Sequence, residues 1–396
     1  MSRLATFGKS IVAGSVAAIL AACSPAGTPA GSTQPSTRAT LTLTPTPTLV
    51  AGAPIADIAT AWPAVRPRGI DLWHLPGGLA FVPILATRDG KFLVGSTVRR
   101  TAGDDQRQWF VLMDPVNGAI SQIKKFASPS FQATHADADD QWVVWVEASE
   151  QPNFDDWTLY SYNRGTRAVK IVAQALKGSN GRAISGPMVI PRVDHGTVVW
   201  SAVAPRAPLG THADVFSADL RTGAVRTIAQ DAVGPAISWP LVVYSQHVSD
   251  PDPNKLQVMG MNLQTGIHWP VTGVVSATYY AVHGDSLVWI DQSNTAVRLR
   301  GVHDMQDEVL VDFTPLGQGA GFVQFPSISE RVVAWSQTGG AWVYDRKLRV
   351  RLQLASDDPL GYATVNGLGL DWFYNDANAT PDTSHNLKYV LTSQLP

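Results

Sequence analysis

Two acidic stretches of the chain offer oxygen atoms that could bind a hard metal ion. One reads Asp250-Pro251-Asp252-Pro253-Asn254, and the other reads Asn153-Phe154-Asp155-Asp156. Alternating Asp and Asn oxygens in a loop can coordinate Ca²⁺, so Asp250, Asp252 and Asn254 are the metal candidates of this sequence. Neither stretch has the glycine and closing glutamate of an EF-hand. A long solvated hairpin loop is therefore the favoured interpretation, and no metal site is assigned.

Histidines and nucleophiles give no catalytic pattern. Nine histidines are scattered, and no two have the i, i+4 spacing of a helical zinc motif. His195 and His283 fall at predicted turns, and Thr134, His135, Asp137, Asp139 and Asp140 form a further acidic turn. There is no G-x-S-x-G elbow, no P-loop and no G-x-G-x-x-G followed by a helix. We therefore expect no catalytic residue and no cofactor.

Cys23 is the one residue to which the sequence assigns a definite chemistry. It is the only cysteine, and it follows a basic start (Arg3, Lys9), an apolar stretch over 11–22 and the run Leu20-Ala21-Ala22-Cys23. This run resembles the lipobox of bacterial lipoproteins. The resemblance implies cleavage between Ala22 and Cys23 and acyl chains on the Cys23 thiol, a strong nucleophile near neutral pH. It also implies an extracytoplasmic protein, held on the cell membrane or the outer membrane by its lipid.

The residues after Cys23 predict a tether. Ser, Thr, Pro, Ala and Gly dominate residues 23–54, and the Thr-Pro repeats over 44–48 favour extended polyproline II structure. At about 3.1 Å per residue, such a segment spans up to roughly 90 Å. The chain thus divides into a signal peptide (1–22), a tether (23–54) and a folded domain (55–396).

The folded domain repeats one short apolar run that ends in an aromatic residue. Examples are Trp142-Val143-Val144-Trp145, Val198-Val199-Trp200 and Val332-Val333-Ala334-Trp335. The equivalent end positions are Gly95, Trp145, Trp200, Tyr244, Trp289, Trp335 and Trp372, at intervals of 37 to 55 residues. A period near 45 residues that is rich in Val and Trp is typical of β-propeller blades, which are four-stranded sheets. The runs predict strands that are covered on both faces, with the tryptophans in the blade cores.

A turn pattern follows the runs and carries a family resemblance. It reads Asp114-Pro-Val-Asn-Gly118, Asp219-Leu-Arg-Thr-Gly223 and Asn262-Leu-Gln-Thr-Gly266, with a glycine where a short hairpin needs positive φ. Together with the Val-rich runs, these turns resemble TolB-type bacterial propeller repeats over about 79–395. The resemblance implies the architecture and leaves the function open, because these motifs serve turns and packing.

Seven copies of the run predict an all-β propeller of seven blades, with six or eight as alternatives. The seventh copy has strands near 362–365, 370–374 and 387–391, after which the chain ends at Pro396. Residues 56–75 are too apolar to continue the tether. We therefore predict that part of this segment supplies the outer strand of the seventh blade and closes the ring.

Composition narrows the possible partners. A net charge of −2, with charged residues at 16%, excludes a polybasic nucleic-acid binder. We expect a monomer that contacts the membrane through its lipid and binds an unidentified protein or glycan. The alternative is a hydrolase or lyase that acts on envelope or extracellular polysaccharide or peptide through carboxylates in a central funnel. The binding class is favoured because it needs no catalytic constellation, whereas the alternative requires carboxylates converging at the inner strand ends.

Overall fold

A computed structural model describes residues 51–396 apart from nine short stretches and the single residues 211 and 292. The nine stretches are 100–105, 150–153, 207–209, 249–255, 276–278, 315–322, 338–339, 356–361 and 376–384. The structure is a seven-bladed β-propeller, which confirms the predicted fold class. In the described part of the chain, no helix has the length and apolarity needed to cross a membrane.

Each blade contains four antiparallel strands, which in blades 1 to 6 follow one another along the chain from the centre outward. Blade 1 consists of β4 (Leu79–Ala86), β5 (Leu93–Arg99), β6 (Gln106–Met113) and β7 (Ile120–Lys125). Blade 2 consists of β8 (Phe131–Ala138), β9 (Trp142–Ser149), β10 (Thr158–Asn163) and β11 (Val169–Gln174). Blade 3 consists of β12 (Arg192–Asp194), β13 (Thr197–Val203), β14 (Ala213–Asp219) and β15 (Val225–Ala229). Blade 4 consists of β16 (Ala232–Ser238), β17 (Leu241–His247), β18 (Leu256–Asn262) and β19 (His268–Val275). The first strands of neighbouring blades contact one another around a central channel.

Blades 5 and 6 contain a fifth strand, because the start of the described chain lies along their outer edges. The other four strands of blade 5 are β20 (Tyr279–His283), β21 (Ser286–Ile290), β22 (Ala296–Gly301) and β23 (Glu308–Asp312). Those of blade 6 are β24 (Val323–Ile328), β25 (Val332–Gln337), β26 (Gly340–Asp345) and β27 (Val350–Ala355). The short strand β1 (Ala51–Gly52) pairs antiparallel with β23, and β2 (Ile55–Ala56) pairs parallel with β27. β1 thus lies inside the range that composition assigns to the tether.

The ring closes in blade 7 as predicted. This blade consists of β28 (Ala363–Asn366), β29 (Gly369–Asn375), β30 (His385–Leu391) and, as its outer strand, β3 (Arg68–Ile70). Arg68 lies opposite Tyr389 and Ile70 opposite Leu387 in an antiparallel register. Helix α1 (Ile58–Ala61) separates β2 from β3, and a 3₁₀ helix (Thr392–Gln394) follows β30. Residues 51–70 therefore fasten three consecutive blades, and β3 removes the open edge that blade 7 would otherwise have.

Seven apolar clusters fill the seven interfaces between blades. In blades 2 to 7 the fourth residue of the second strand is the aromatic residue of the repeat, and its side chain packs toward the preceding blade. Trp145 and Trp335 are fully buried, and Trp200 and Trp289 are at most 4% exposed. The structure therefore places these four tryptophans in equivalent core positions, in agreement with the prediction.

Blade 1 differs because Gly95 stands where the other blades have an aromatic residue. A Cβ atom at Gly95 would lie 2.2 Å from the Val82 carbonyl oxygen and 2.7 Å from the Phe81 ring. Phe81, which is 2% exposed, occupies the space beside this glycine. In blade 1, therefore, the first strand and not the second supplies the buried aromatic ring.

The two faces of the propeller carry different connections. Since the strands of a blade alternate in direction, the links between strands 1 and 2 and between strands 3 and 4 lie on one face, which we call the turn face. The links between strands 2 and 3, and the connections between blades, lie on the opposite face, the loop face. The longest fully described connection on the loop face covers residues 175–191 and joins blade 2 to blade 3.

Candidate functional site

An ion pair crosses the channel on the turn face. Arg88, in the first turn of blade 1, pairs with Asp194 at the end of the first strand of blade 3, and it also donates to the Val193 carbonyl oxygen at 3.3 Å. The second oxygen of Asp194 accepts a hydrogen bond from the Trp239 amide of blade 4 at 2.8 Å. One carboxylate, 4% exposed, therefore connects three blades at the channel mouth.

The other polar groups at the mouth satisfy the free edges of the innermost strands. A first strand has a partner on one side only, and its remaining backbone groups need hydrogen bonds when they are buried. Asp137 accepts from the Val193 amide at 2.9 Å, and the Asn366 amide donates to the carbonyl oxygens of Ala86 and Ala138 at 3.0 and 2.9 Å. Side chains from blades 2 and 7 thus pair with backbone groups of neighbouring blades along the inner strands.

The predicted acidic turn near Asp139 is part of this structural network. Asp139 accepts from the Gln141 and Trp142 amides through Oδ1, and from the Gly196 amide of blade 3 through Oδ2 at 2.8 Å. Burial raises the pKa of Asp137, and the charge of nearby Arg192 opposes this only in part. These carboxylates do converge at inner strand ends, but their oxygens are engaged between blades.

Two histidines lie at the same mouth. His195 Nδ1 is 2.7 Å from Asp194 Oδ1, its ring is 68% exposed, and its backbone has a positive φ of 51°. Burial lowers the pKa of His283, and the charges of Arg88 and Arg346 lower it further. An Asp–His pair can accept a proton from a nucleophile. Within the described residues, however, the only hydrogen bond of the His195 ring is the one to Asp194.

The predicted acidic turn is wrong for Thr134, His135 and Asp137, which lie in strand β8, the partner of β9. The His135 ring is buried there at its Nδ1 atom. Burial, aided by the charge of Arg192, lowers its pKa to about 4, so the ring is neutral at pH 7. Among the described residues, no three His, Cys, Asp or Glu side chains are arranged to hold a metal ion. Asp250, Asp252 and Asn254 lie outside the described residues, as do Ala22 and Cys23.

A small pocket of about 20 Å³, with room for about one water molecule, lies between blades 2 and 3 on the loop face. Its walls come from the described part of the loop between strands 2 and 3 of blade 2, from the 175–191 connection and from strands β8, β9 and β13. The main lining side chains are Val146, Phe154, Asp155, Trp157, Met188 and Val203. We call this the blade 2–3 pocket. Phe154 and Asp155 of the second acidic stretch thus line this pocket, together with Trp157.

Hydrogen bonds hold the acidic loop of this pocket in place. Asp155 Oδ2 accepts a hydrogen bond from the Ser185 hydroxyl, which ties the loop to the 175–191 connection. Asp156 Oδ1 accepts from the Ser149 amide at 3.0 Å. The sequence signals the acidic loop, but residues 175–191 contain no motif that predicts their part in a pocket. Nor does any local pattern pair Arg88 with Asp194, which lie 106 positions apart.

No protein-family model and no curated protein matches this chain. Among solved structures, the β-propeller domain of the Trilobed protease from Pyrococcus furiosus matches with a TM-score of 0.54 and 10% identity, over 78% of this chain and 93% of that one. A structure from a study of two prolyl endopeptidases matches with a TM-score of 0.53 and 9% identity, over 80% of this chain and 48% of that one. TolB from Acinetobacter baumannii matches with a TM-score of 0.40 and 12% identity, over 78% and 85%.

These likenesses show the fold alone, because structures this distant in sequence share architecture without sharing sites. The match to the prolyl endopeptidase structure spans about half of that chain.

Proposed function

We propose that the chain is an extracytoplasmic lipoprotein whose propeller binds a protein or polymer ligand without catalysing a reaction. The lipid on Cys23 would anchor it to the cell membrane or the outer membrane. Residues 24–50 would then span the distance to the propeller, which the chain enters at Ala51 on the outer edge of blade 5. The run Leu20-Ala21-Ala22-Cys23 supports the anchor.

The hydrogen bonds accepted by the carboxylates at the channel mouth support a binding function over a catalytic one. A hydrolase or lyase that works in the funnel needs carboxylates free to exchange protons with a substrate. Asp137, Asp139 and Asp194 instead accept hydrogen bonds from backbone amides of neighbouring blades. Losing any of these acceptors would leave a buried donor unpaired, so the arrangement suits a rigid scaffold.

The test is purification of the lipidated chain in mild detergent from cells treated with a short reversible cross-linker. We expect one envelope component to co-purify in a fixed ratio and to be released when the cross-link is reversed. The matched control is Cys23→Ser, which should fractionate as a soluble protein outside the cytoplasm and recover much less of that component.

A second candidate, the extracytoplasmic hydrolase or lyase, rests on the Asp194–His195 pair. Its test is incubation of the purified protein with envelope polysaccharide and with peptides, followed by assay of new reducing ends, unsaturated ends and amines. Turnover that His195→Gln abolishes, with an unchanged melting temperature, would replace the binding proposal by this one.

A further inference from the structure

The outer edge of blade 2 offers free backbone groups to one more strand. We propose that β11 binds an extended, acidic segment of a protein partner, which pairs with it as a fifth strand of the blade. This inference deepens the proposed binding function, on which it rests, because it names the surface and the kind of partner that the surface fits.

The fold itself shows that a blade accepts such a strand. In blades 5 and 6 a short N-terminal strand pairs with the outermost of the other four, β1 antiparallel with β23 and β2 parallel with β27. In blade 6 the Arg351 amide donates to the Pro54 carbonyl oxygen at 2.7 Å. In blades 1 to 4, by contrast, the outermost strands β7, β11, β15 and β19 have no such partner among the described residues.

The backbone of β11 directs two residues outward. The Asn163 amide of β10 donates to the Ala168 carbonyl oxygen at 3.0 Å, which places the hydrogen-bonded positions at Ala168 and Lys170. Val169 and Ile171 occupy the alternate positions, so their amide and carbonyl groups point away from β10. Within the described part of the chain these groups have no partner. Each of the two residues therefore offers a donor and an acceptor to an added strand.

The side chains at the two outward positions are apolar and exposed. Val169 is 36% exposed and Ile171 is 57% exposed, and both lie on the same side of the sheet. Natural proteins protect open strand edges with charges, prolines or bulges, since an apolar edge invites pairing with another chain. A partner strand with apolar residues opposite Val169 and Ile171 would remove both side chains from water.

The other three open edges lack this combination. In blade 4 the position equivalent to Ile171 is Pro270, which has no amide hydrogen for an added strand. In blades 1 and 3 the equivalent residues are Gln122 and Thr227, so neither of these edges presents two apolar residues. Of the four edges, as far as the chain is described, β11 alone joins free backbone groups to a pair of exposed apolar side chains.

The strip around β11 is basic, which indicates the charge of the partner. Residues 164–177 contain four cations and no Asp or Glu, in a chain whose net charge is −2. Three of the cations, Arg167, Lys170 and Lys177, are exposed and form no ion pair with any described residue. Lys170 lies between the two outward positions, so it directly faces one residue of an added strand. An acidic residue fits there, whereas two copies of β11 paired in antiparallel register would place two lysines opposite each other.

The test measures the binding of fluorescein-labelled peptides to the purified, lipidated full chain in detergent, by fluorescence anisotropy. The probe is a capped seven-residue peptide of alternating valine and glutamate, with N-methyl groups on its glutamate amides to prevent self-association. One control has lysine in place of glutamate, and the other has the N-methyl groups on its valine amides, which face β11 in the proposed pairing. We expect saturable binding of the probe, slower hydrogen exchange at residues 168–174, and binding of both controls that is weaker by at least about tenfold.

Two variants locate the binding at β11. Ile171→Pro removes an amide hydrogen that the fold does not use, and Pro270 shows that a blade accepts proline at this position. It should weaken binding of the probe at least about tenfold, at a melting temperature close to that of the wild type. Thr227→Pro, at the equivalent position of blade 3, is the matched control and should bind the probe like the wild type. Lys170→Glu should weaken binding of the probe about fivefold and strengthen binding of the lysine peptide, and it tests the proposal even where Ile171→Pro does not fold.

Each contrary outcome has a definite meaning. Wild-type binding by Ile171→Pro, or equal binding of the acidic and lysine peptides, would overturn the proposal. Equal binding of polyglutamate would make the edge a general anion surface and would also overturn it. In cells, Ile171→Pro should lower the recovery of the co-purifying envelope component, and Thr227→Pro should not. If the probe does not bind while that component still co-purifies, this inference is wrong and the proposed binding function stands. If the probe binds at β11 but nothing co-purifies, the edge accepts strands and the proposed function fails.

Discussion

Replacing Trp62 by alanine should destabilise the whole propeller, although Trp62 lies outside all seven blades. Its side chain is 2% exposed and packs into the apolar cluster between blades 6 and 7. The indole Nε1 donates to Asp345 Oδ2 at 2.9 Å, and Asp345 is fully buried. Truncation of a buried Trp to Ala costs about 3–5 kcal/mol, through lost burial and the cavity left behind.

The size of the expected thermal shift follows from the size of the domain. Unfolding entropy is about 2.1 cal/mol/K per residue, or about 0.7 kcal/mol/K for the roughly 340 residues of the domain. Dividing the cost by this entropy gives a fall in melting temperature of about 4–7 °C. Trp62→Phe should lose about 1 kcal/mol, because the ring still fills most of the space and Asp345 keeps its 2.8 Å ion pair with Arg331.

Urea and thermal unfolding, followed by circular dichroism, measure these differences. The control is Ile55→Ala in the same N-terminal segment, which is 57% exposed in β2 and should change stability by no more than about 0.5 kcal/mol. A chain that begins at Gly77 lacks Trp62 and all of β1 to β3, and should lose more than Trp62→Ala does. If Trp62→Ala and Ile55→Ala melt together, the segment does not bind the outer edges of the blades, and our account of ring closure is wrong.

Four further predictions follow from single residues. Cys23→Ser should move the protein from the membrane fraction to the soluble fraction, and a wild-type level of membrane binding would exclude lipidation as the anchor. Arg88→Met should cost about 3–5 kcal/mol in urea unfolding, because it leaves the buried Asp194 carboxylate without its cation; a loss below about 1 kcal/mol would show that the channel mouth is held by other contacts. Burial raises the pKa of Asp371 well above its usual value, so the wild type should lose stability relative to Asp371→Asn as the pH rises above about 4, by at most about 1.4 kcal/mol per pH unit; parallel curves from pH 4 to pH 8 would contradict this. Gly186→Ala should displace the 175–191 connection and lower the melting temperature, because a Cβ atom there would lie 2.2 Å from Val203 Cγ2, whereas an unchanged melting temperature would mean that the connection does not lie against Val203.

The sign of the Asp371 prediction comes from proton binding. Below about pH 4 the carboxyl is protonated in both the folded and the unfolded chain, so its protonation does not affect stability. As the pH rises, the unfolded chain releases the proton while the buried carboxyl keeps it, and unfolding becomes easier until the folded pKa is passed. An asparagine does not titrate, so the difference between the two proteins reports the carboxyl alone.

The sequence by itself predicted the blades, because each blade is a local unit. The Val-rich run, the turn with its glycine and the next strand lie within about 45 residues, so the period, the seven copies and the core position of Trp145 could all be read from spacing. Even the closing strand was predictable, since a three-stranded last blade and an apolar segment before the first one leave few other solutions.

Only the tertiary structure decided how distant residues combine. Closing the ring brings Arg88 to Asp194 and Asn366 to Ala138, and no local pattern records which inner strand edge a side chain will reach across the channel. The blade 2–3 pocket likewise joins Asp155 to Ser185 through a connection without a motif. Strands and turns follow from interactions over a few residues, whereas the mouth and the pocket depend on the packing of separate blades, which fixes these contacts only once the ring is closed.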